Sequence, residues 1–234
     1  MTKTAAEIAA YYDAFLPYME RDAAGTNPRR EHIKGILRQI LKPGMTVLEP
    51  GCGIGLNSIF MAQELGCKVT AIDISPKLIK AAQRMHPHEN IEYVCGAFPD
   101  VDFGEQMEDL ADPREFDAVV LCDVLEHVPG ESLNDFVEEA CFRAAHDAPV
   151  YVNVPNSNYQ SFIEENAPDL QQIVDAVIHP AHIALLFGEF EFSPVYANIY
   201  GIDAPYQYQE YVFLGTDTIH KHIGAALGIG ENNA

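Results

Sequence analysis

The fold of this chain is decided by one stretch, Val47-Leu48-Glu49-Pro50-Gly51-Cys52-Gly53-Ile54-Gly55. The apolar run over residues 45–48 predicts a short buried strand, and apolar residues recur at helical spacing over residues 56–65. A strand, a glycine turn and a helix in this order are typical of a doubly wound α/β sheet, in which a ligand reaches the backbone at the carboxyl end of the first strand. Glycine suits such a turn because it has no Cβ to hold the ligand off and because it tolerates positive φ.

The spacing of the glycines separates two classes of cofactor. A dinucleotide fingerprint has its third glycine three positions after the second, but that position is Leu56 here and the third glycine is Gly55. An acid, Glu49, lies two positions before the first glycine. The pattern E-x-G-x-G-x-G resembles motif I of the class I S-adenosylmethionine-dependent methyltransferases. The alternative is a tight turn in an unrelated α/β protein.

The next two predicted strands end at positions where this family binds its cofactor. Residues 67–72 predict a buried strand that runs into Asp73, and an acid about 20 residues past the glycines can accept hydrogen bonds from both ribose hydroxyls. Residues 91–95 predict a third strand, followed by Gly96-Ala97-Phe98, where the resemblance places the adenine. Many family members carry an acid where Ala97 stands, so adenine recognition here would depend on backbone groups and on Phe98.

A fourth strand is predicted over residues 117–121, and the run D-x-L-E-H-V-P follows it at residues 123–129. This run is similar to motif IV of small-molecule methyltransferases, the ubiquinone-type O-methyltransferases among them. The matches occur in the family's order and cover roughly residues 30–158. The resemblance implies S-adenosylmethionine as the cofactor, and the residues we predict to bind it are Glu49, Gly51, Gly53, Gly55, Asp73, Ile74, Ala97, Phe98, Cys122, Tyr11 and Arg29.

Composition narrows the choice of partner and compartment. The chain has 234 residues and a net charge of −21, from 14 Lys and Arg against 35 Asp and Glu. Such a surface repels phosphate backbones and anionic lipid, so we expect neither a nucleic acid nor a membrane partner. The five cysteines are an odd number without paired spacing, which indicates reduced thiols in a cytoplasmic protein. We see no run long enough to span a membrane and no secretory leader, and we expect a monomer or homodimer.

The predicted fold is a single α/β domain with a doubly wound, Rossmann-like seven-stranded sheet whose last strand is antiparallel. Residues 1–44 predict a helical N-terminal extension, with helices over 4–24 and 28–41, which by resemblance closes over cofactor and substrate. Residues 45–158 form the predicted S-adenosylmethionine-binding core. Tyr11 and Arg29 are candidates to meet the cofactor carboxylate, Arg29 because its fork pairs with a carboxylate through two hydrogen bonds. For Tyr11 the alternative is ordinary packing.

The sequence gives weaker structural predictions for the remaining segments. Residues 100–115 carry seven acids and one arginine and predict a solvated acidic loop rather than a docking site for a cationic partner. Residues 159–234 are predicted to hold the substrate-side helices, the last two strands and a terminal helix. The helical segment is predicted over 162–186, with interruptions at Pro168 and at His179-Pro180-Ala181-His182, and the strands over 190–199 and 206–214.

Methyl transfer from a sulfonium asks the protein mainly to align the acceptor with the methyl group and to exclude water. A hydroxyl acceptor also needs a base with a pKa near neutral, for which histidine is the best candidate. Our first choice is His182, then His179, then His127, because the last two have structural alternatives at a proline-flanked turn and a helix start. The predicted acceptor is a small-molecule or glycan hydroxyl, or an amine.

A second interpretation uses some of the same side chains as metal ligands. Asp123, Glu126 and His127, with His179 or His182 further along, resemble the metal site of the small-RNA 2′-O-methyltransferases. Asp123 replaces the first glutamate of that pattern and the chain is strongly acidic, so we predict no metal. The alternatives are therefore a metal-dependent RNA 2′-O-methyltransferase and a non-catalytic protein that binds the cofactor.

Overall fold

A computed structural model describes residues 3–101 and 116–227. The strands are β1 (Thr46–Pro50), β2 (Lys68–Asp73), β3 (Ile91–Cys95), β4 (Ala118–Cys122), β5 (Val150–Pro155), β6 (Phe192–Tyr200) and β7 (Tyr208–Gly215). They form one seven-stranded sheet in the order β3-β2-β1-β4-β5-β7-β6. Strands β1 to β5 pair in parallel, and β7 runs antiparallel to both β5 and β6. The predicted fold class is confirmed.

The helices begin where local sequence supplies a cap. They are α1 (Ala5–Ala23), α2 (Pro28–Ile40), α3 (Leu56–Gln63), α4 (Pro76–Met85), α5 (Leu133–Arg143), α6 (Ser157–Asn166), α7 (Pro180–Gly188) and α8 (Thr216–Leu227), with 3-10 turns at Leu125–His127, Gly130–Ser132 and Pro168–Leu170. The side chain of Asn27 accepts hydrogen bonds from two backbone N–H groups of α2, and Ser75 accepts from Leu78 in α4. These caps satisfy backbone donors that have no partner within the helix.

The sheet carries an apolar core on each face. Alternate residues of β4 point to opposite sides, so Val120 packs in the core that contains Phe60 of α3, while Val119 packs in the core that contains Phe136 of α5. Both faces of the parallel part are therefore covered by helices, as parallel sheets require. This arrangement leaves the carboxyl ends of the parallel strands as the edge where a ligand can reach the backbone.

The predicted helix over residues 162–186 is wrong in its bounds and in its middle. Helix α6 begins at Ser157 and ends at Asn166, and residues 171–178 have no regular structure. Two prolines, at 168 and 180, break the helical pattern, and the segment between them bonds instead to the 3-10 turn after β4 and to β7. The Ala176 N–H donates to the carbonyl of Glu126 at 2.8 Å, and the side-chain amide of Gln209 donates to the carbonyl of Ile178 at 2.7 Å.

Most of the predicted acidic loop at 100–115 lies outside the described residues, which resume at residue 116. The division of the chain at residues 44 and 158 stays a prediction, as the helical extension packs directly on the core: the Ser75 hydroxyl donates to Asp13 of α1 at 2.6 Å. No helix in residues 3–101 or 116–227 is long and apolar enough to cross a membrane.

Candidate active site

A cavity of about 720 Å³ opens at the carboxyl ends of the parallel strands. Residues that follow β1, β2, β3 and β4 line its floor, and α1 covers it with Tyr12, Phe15 and Met19. Its volume lies in the range of sites that bury a small ligand. The cavity is therefore where the sequence predicts the cofactor and the acceptor to meet.

The glycine turn forms one wall of this cavity. Gly51, Gly53 and Gly55 have φ values of 76°, 58° and 80°, which any other residue adopts only with strain. Gly51 and Gly53 line the cavity. Gly55 does not; it precedes α3 as its N-cap, and a Cβ there would lie 2.6 Å from the Tyr93 hydroxyl. The turn thus presents two glycines to the ligand and uses the third for packing.

Asp73 stands beside the turn at the end of β2 with both carboxylate oxygens held in place. The Gly53 N–H donates to Oδ2 at 2.8 Å, and the Ser75 N–H donates to Oδ1 at 2.8 Å. Burial raises the pKa of Asp73 to about 6, although the two backbone donors act in the opposite direction. The next residue, Ile74, also lines the cavity. Each oxygen keeps a second lone pair for a ligand hydroxyl.

Of four other predicted cofactor residues, two line the cavity and two lie behind its wall. Ala97 and Phe98 line the cavity, and the Phe98 ring meets Phe136 edge-on at a centroid distance of 4.8 Å. Glu49 is buried under the turn, where the Ser58 hydroxyl donates to it and burial raises its pKa to about 8. Cys122 is half-buried, and burial raises the pKa of its thiol. Neither Glu49 nor Cys122 lines the cavity.

The N-terminal extension brings Arg29 into the cavity but leaves Tyr11 outside it. The Arg29 guanidinium donates two hydrogen bonds to the carboxylate of Asp123 and a third to Asn153 Oδ1 at 2.6 Å. It also stacks over the Tyr208 ring at 3.9 Å from the centroid. Tyr11 packs against its neighbours on α1 and is not among the residues that line the cavity.

His127 lines the cavity with a defined tautomer. Its Nδ1 lies 2.7 Å from the carbonyl oxygen of Val174, which can only accept, so Nδ1 carries the proton and Nε2 keeps a lone pair. Burial lowers the pKa of His127 below its usual value. The ring also meets Tyr12 edge-on, with centroids 6.0 Å apart. At neutral pH His127 therefore presents an unprotonated nitrogen.

The other two predicted histidines lie elsewhere. His179 and His182 are exposed at the start of α7, and neither lines the cavity. Their backbone groups bond to each other, with the His182 N–H donating to the His179 carbonyl at 2.9 Å. The structure does not bring them to His127, and a catalytic role for either stays a prediction without a contact to support it.

Several polar residues that the sequence did not single out also line the cavity, Gln160, Gln172 and Asp175 among them. Gln160 belongs to α6, and the other two belong to the irregular segment 171–178. No motif marks them, since they come from two segments that only tertiary structure brings to the strand ends. Among the described residues, no group of three or more His, Cys, Asp or Glu side chains is arranged to hold a metal ion.

Comparisons with known proteins agree with this architecture. The family model of the methyltransferase domain matches residues 47–145. The ubiquinone biosynthesis O-methyltransferase of Xanthomonas campestris pv. campestris is 39% identical over 132 residues, which are 55% of this chain and 50% of that protein. The chain thus spans about half the length of the curated relatives it matches.

Two solved structures share the fold over nearly their full length. The magnesium protoporphyrin IX methyltransferase of Synechocystis, with bound S-adenosylhomocysteine, has a TM-score of 0.67 and 18% identity, covering 89% of this chain and 98% of that one. The 1,6-didemethyltoxoflavin-N1-methyltransferase of Burkholderia thailandensis has a TM-score of 0.67 and 20% identity, covering 92% of each chain. Residues 47–145 thus match the methyltransferase domain, and the chain as a whole has the fold of these methyltransferase structures.

Proposed function

We propose that the chain binds S-adenosylmethionine in this cavity and acts as a methyltransferase on a small molecule. One observation carries the proposal: two backbone N–H groups, each at 2.8 Å, aim the buried Asp73 carboxylate beside two glycines at positive φ. A carboxylate that is already oriented can accept hydrogen bonds from a pair of ribose hydroxyls at little further cost in entropy. The glycines let the cofactor approach the backbone.

The other predicted cofactor residues suit the remaining parts of S-adenosylmethionine. Ala97 and Phe98 offer an apolar surface for the adenine, and Glu49 supports the turn from beneath. Arg29 is the guanidinium in the cavity that suits the cofactor carboxylate, with Asp123 as its partner in the free protein. The acidic surface and the five free thiols suit a cytoplasmic protein without a nucleic acid or membrane partner, acting as a monomer or homodimer.

Methyl transfer requires little more of the chain than that it holds the methyl donor and the acceptor in the right positions. Bound S-adenosylmethionine supplies a methyl group activated by its sulfonium. Helix α1 covers the cavity and excludes water, and the residues after β4 and β5 hold the acceptor in line with the methyl group. His127 Nε2 can take the proton that a hydroxyl or amine of a small molecule or glycan has to lose. Relatives named for ubiquinone biosynthesis and for toxoflavin methylation support an acceptor of this size.

Calorimetry on the full chain tests the cofactor. We expect S-adenosylhomocysteine to bind at a single site and NAD, at the same concentration, not to bind. A chelator in excess should leave both this affinity and cofactor consumption unchanged. Tighter binding of NAD, or activity that disappears with the chelator and returns with magnesium or manganese, would contradict the proposal.

A further inference from the structure

The acceptor side of the cavity contains polar atoms that nothing in the chain satisfies. Glu126 is only 2% exposed, and its Oε2 has no hydrogen-bond partner. The hydroxyl of Tyr12, Nε of Arg29, the side-chain nitrogen of Gln160 and the side-chain oxygen of Gln172 are also buried without a partner. All five residues line the cavity. Because buried polar atoms are almost always hydrogen-bonded, five unpaired ones around one cavity point to a ligand that completes them.

The charge on this wall is negative. Asp123 and Asp175 both line the cavity and both raise the pKa of Glu126, after burial, which is the largest cause. The nearby guanidinium of Arg29 is already engaged by Asp123 and Asn153. Glu126 therefore has acids around it, and the basic group beside it, His127, turns an unprotonated Nε2 to it at 3.7 Å from Oε1. A raised pKa is the behaviour of a carboxyl group that lacks its positive partner.

We infer that the acceptor is an organic amine, bound as its ammonium ion, with Glu126 Oε2 accepting one of its N–H groups. This inference rests on the proposed function and decides between the hydroxyl and the amine that it leaves open. A primary ammonium has three N–H donors and no acceptor. The unpaired oxygens of Glu126, Gln172 and Tyr12 can each accept such a donor, whereas the unpaired nitrogens of Gln160 and Arg29 are donors and would bond to another part of the ligand.

Other acceptor classes fit the wall less well. An alcohol brings a single donor, so it cannot satisfy the oxygens of both Glu126 and Gln172, and binding sites disfavour an unpaired one. A carboxylate or phosphate would add negative charge to a wall that already carries Asp123 and Asp175. The body of the amine has aromatic surface available, since Tyr159 lines the same cavity. An arylalkyl amine is therefore the simplest probe.

Methyl transfer to the amine requires that its nitrogen first lose a proton. The bound ammonium gives one proton to His127 Nε2, and its nitrogen regains a lone pair. That lone pair forms the new N–C bond as the C–S bond of the sulfonium breaks, and the electron pair of the broken bond stays on sulfur as a neutral thioether. The product leaves as an N-methyl ammonium ion, and His127 returns its proton to solvent.

A matched pair of acceptors tests the inference on the full chain with S-adenosylmethionine present. Benzylamine and phenethylamine are compared with benzyl alcohol and 2-phenylethanol, which have the same carbon skeletons, by cofactor consumption and by mass of the product. We expect N-methylated product from the amines and at least about tenfold lower kcat/KM for the alcohols. Methylated alcohols in excess of methylated amines would overturn the inference.

Replacing Glu126 separates recognition from folding. Glu126→Gln keeps the shape and removes the charge, and we expect at least about a tenfold rise in KM for the amines with S-adenosylhomocysteine affinity within twofold of wild type. Glu138→Gln, on the exposed face of α5, is the matched control and should change neither value. An unchanged KM in Glu126→Gln would overturn the inference. Asp175→Asn, a second variant, should raise the same KM by a smaller factor.

The cofactor measurement tells the two proposals apart. A wild-type chain that fails to bind S-adenosylhomocysteine contradicts the proposed function itself. A chain that binds it, but neither binds nor methylates any amine of the set, contradicts only the assignment of the acceptor.

Discussion

The two sides of the cavity differ in how completely their polar groups are hydrogen-bonded within the chain. On the cofactor side, Asp73 has a backbone donor on each oxygen and Glu49 has a serine hydroxyl, so these polar groups are satisfied within the chain. On the acceptor side, Glu126, Gln160 and Gln172 each keep an atom without a partner. The cofactor side is thus organised before its ligand arrives, whereas the acceptor side depends on the ligand for its last hydrogen bonds.

The largest effect is expected on the acceptor side, from His127→Gln. The change removes the nitrogen that we propose as base, and loss of a general base typically lowers kcat by about 10²–10⁴-fold. Because cofactor contacts lie elsewhere, the affinity for S-adenosylhomocysteine should stay within about twofold. Steady-state kinetics and calorimetry on the same preparation measure both quantities.

Three further histidine variants sharpen this result. His220→Gln alters an exposed residue of α8 and serves as the control. His179→Gln and His182→Gln test the first choices made from sequence, and their exposed positions lead us to expect less than about a threefold change in kcat. A large loss of kcat in either variant, with full activity in His127→Gln, would show that α7 moves over the cavity during the reaction.

The second-largest effect, a loss of cofactor affinity, is expected on the cofactor side from Gly53→Val. Gly53 has a φ of 58°, which a β-branched residue adopts only with strain, and a Cβ there would lie 2.7 Å from the terminal methyl of Met19. The side chain would also occupy the space that the cofactor needs. We expect affinity for S-adenosylhomocysteine to fall by about 100-fold or more in calorimetry.

Gly188→Val is the matched control for this substitution. A Cβ at Gly188 meets nothing within 4 Å, so the variant should bind the cofactor normally. Circular dichroism of both variants checks that they are folded. Normal binding by Gly53→Val would mean that the turn serves packing alone and that the ligand lies elsewhere.

The cofactor side was predictable from sequence because one contiguous pattern encodes it. The strand, the glycines and Asp73 follow each other within residues 45–73, and the backbone conformation that each position needs restricts the residue type. Sequence could not tell that Gly55 and Glu49 face away from the cavity, because their surroundings depend on tertiary contacts. In the structure Gly55 lies against Tyr93, and Glu49 accepts a hydrogen bond from the Ser58 hydroxyl.

The acceptor side was only partly predictable. His127 and Glu126 were found through the run after β4, but Gln160, Gln172 and Asp175 come from segments without a motif. The helical pattern of residues 162–186 also misled, since a backbone hydrogen bond to Glu126 and a side-chain hydrogen bond from Gln209 outweigh helix propensity in residues 171–178. The two histidines beside Pro180 were also chosen from sequence, but tertiary structure directs that turn to solvent.

The smallest effect concerns the pH dependence of cofactor binding, and it probes how far Asp73 is organised in advance. Its pKa is raised to about 6 by burial, so the free protein holds a proton there below that pH. Ribose hydroxyls donate, and the ionised carboxylate accepts both, so binding favours loss of the proton. The affinity for S-adenosylhomocysteine should therefore rise with pH up to about 6 and level off above it. With one proton involved, the gain between pH 5 and pH 7 is at most about tenfold.

Stability should change with the opposite sign. Between the ordinary pKa of an aspartate, 3.8, and about 6, the folded protein holds a proton on Asp73 that the unfolded chain has lost, so this group's contribution to stability falls as pH rises through that window. Asp73→Asn should remove both pH dependences and weaken binding at pH 7 by about tenfold, whereas Asp135→Asn on the exposed face of α5 should alter neither. A wild-type affinity that stays flat or falls from pH 5 to pH 7 would mean that the ribose does not bond to Asp73. The cofactor side would then be no better prepared for its ligand than the acceptor side.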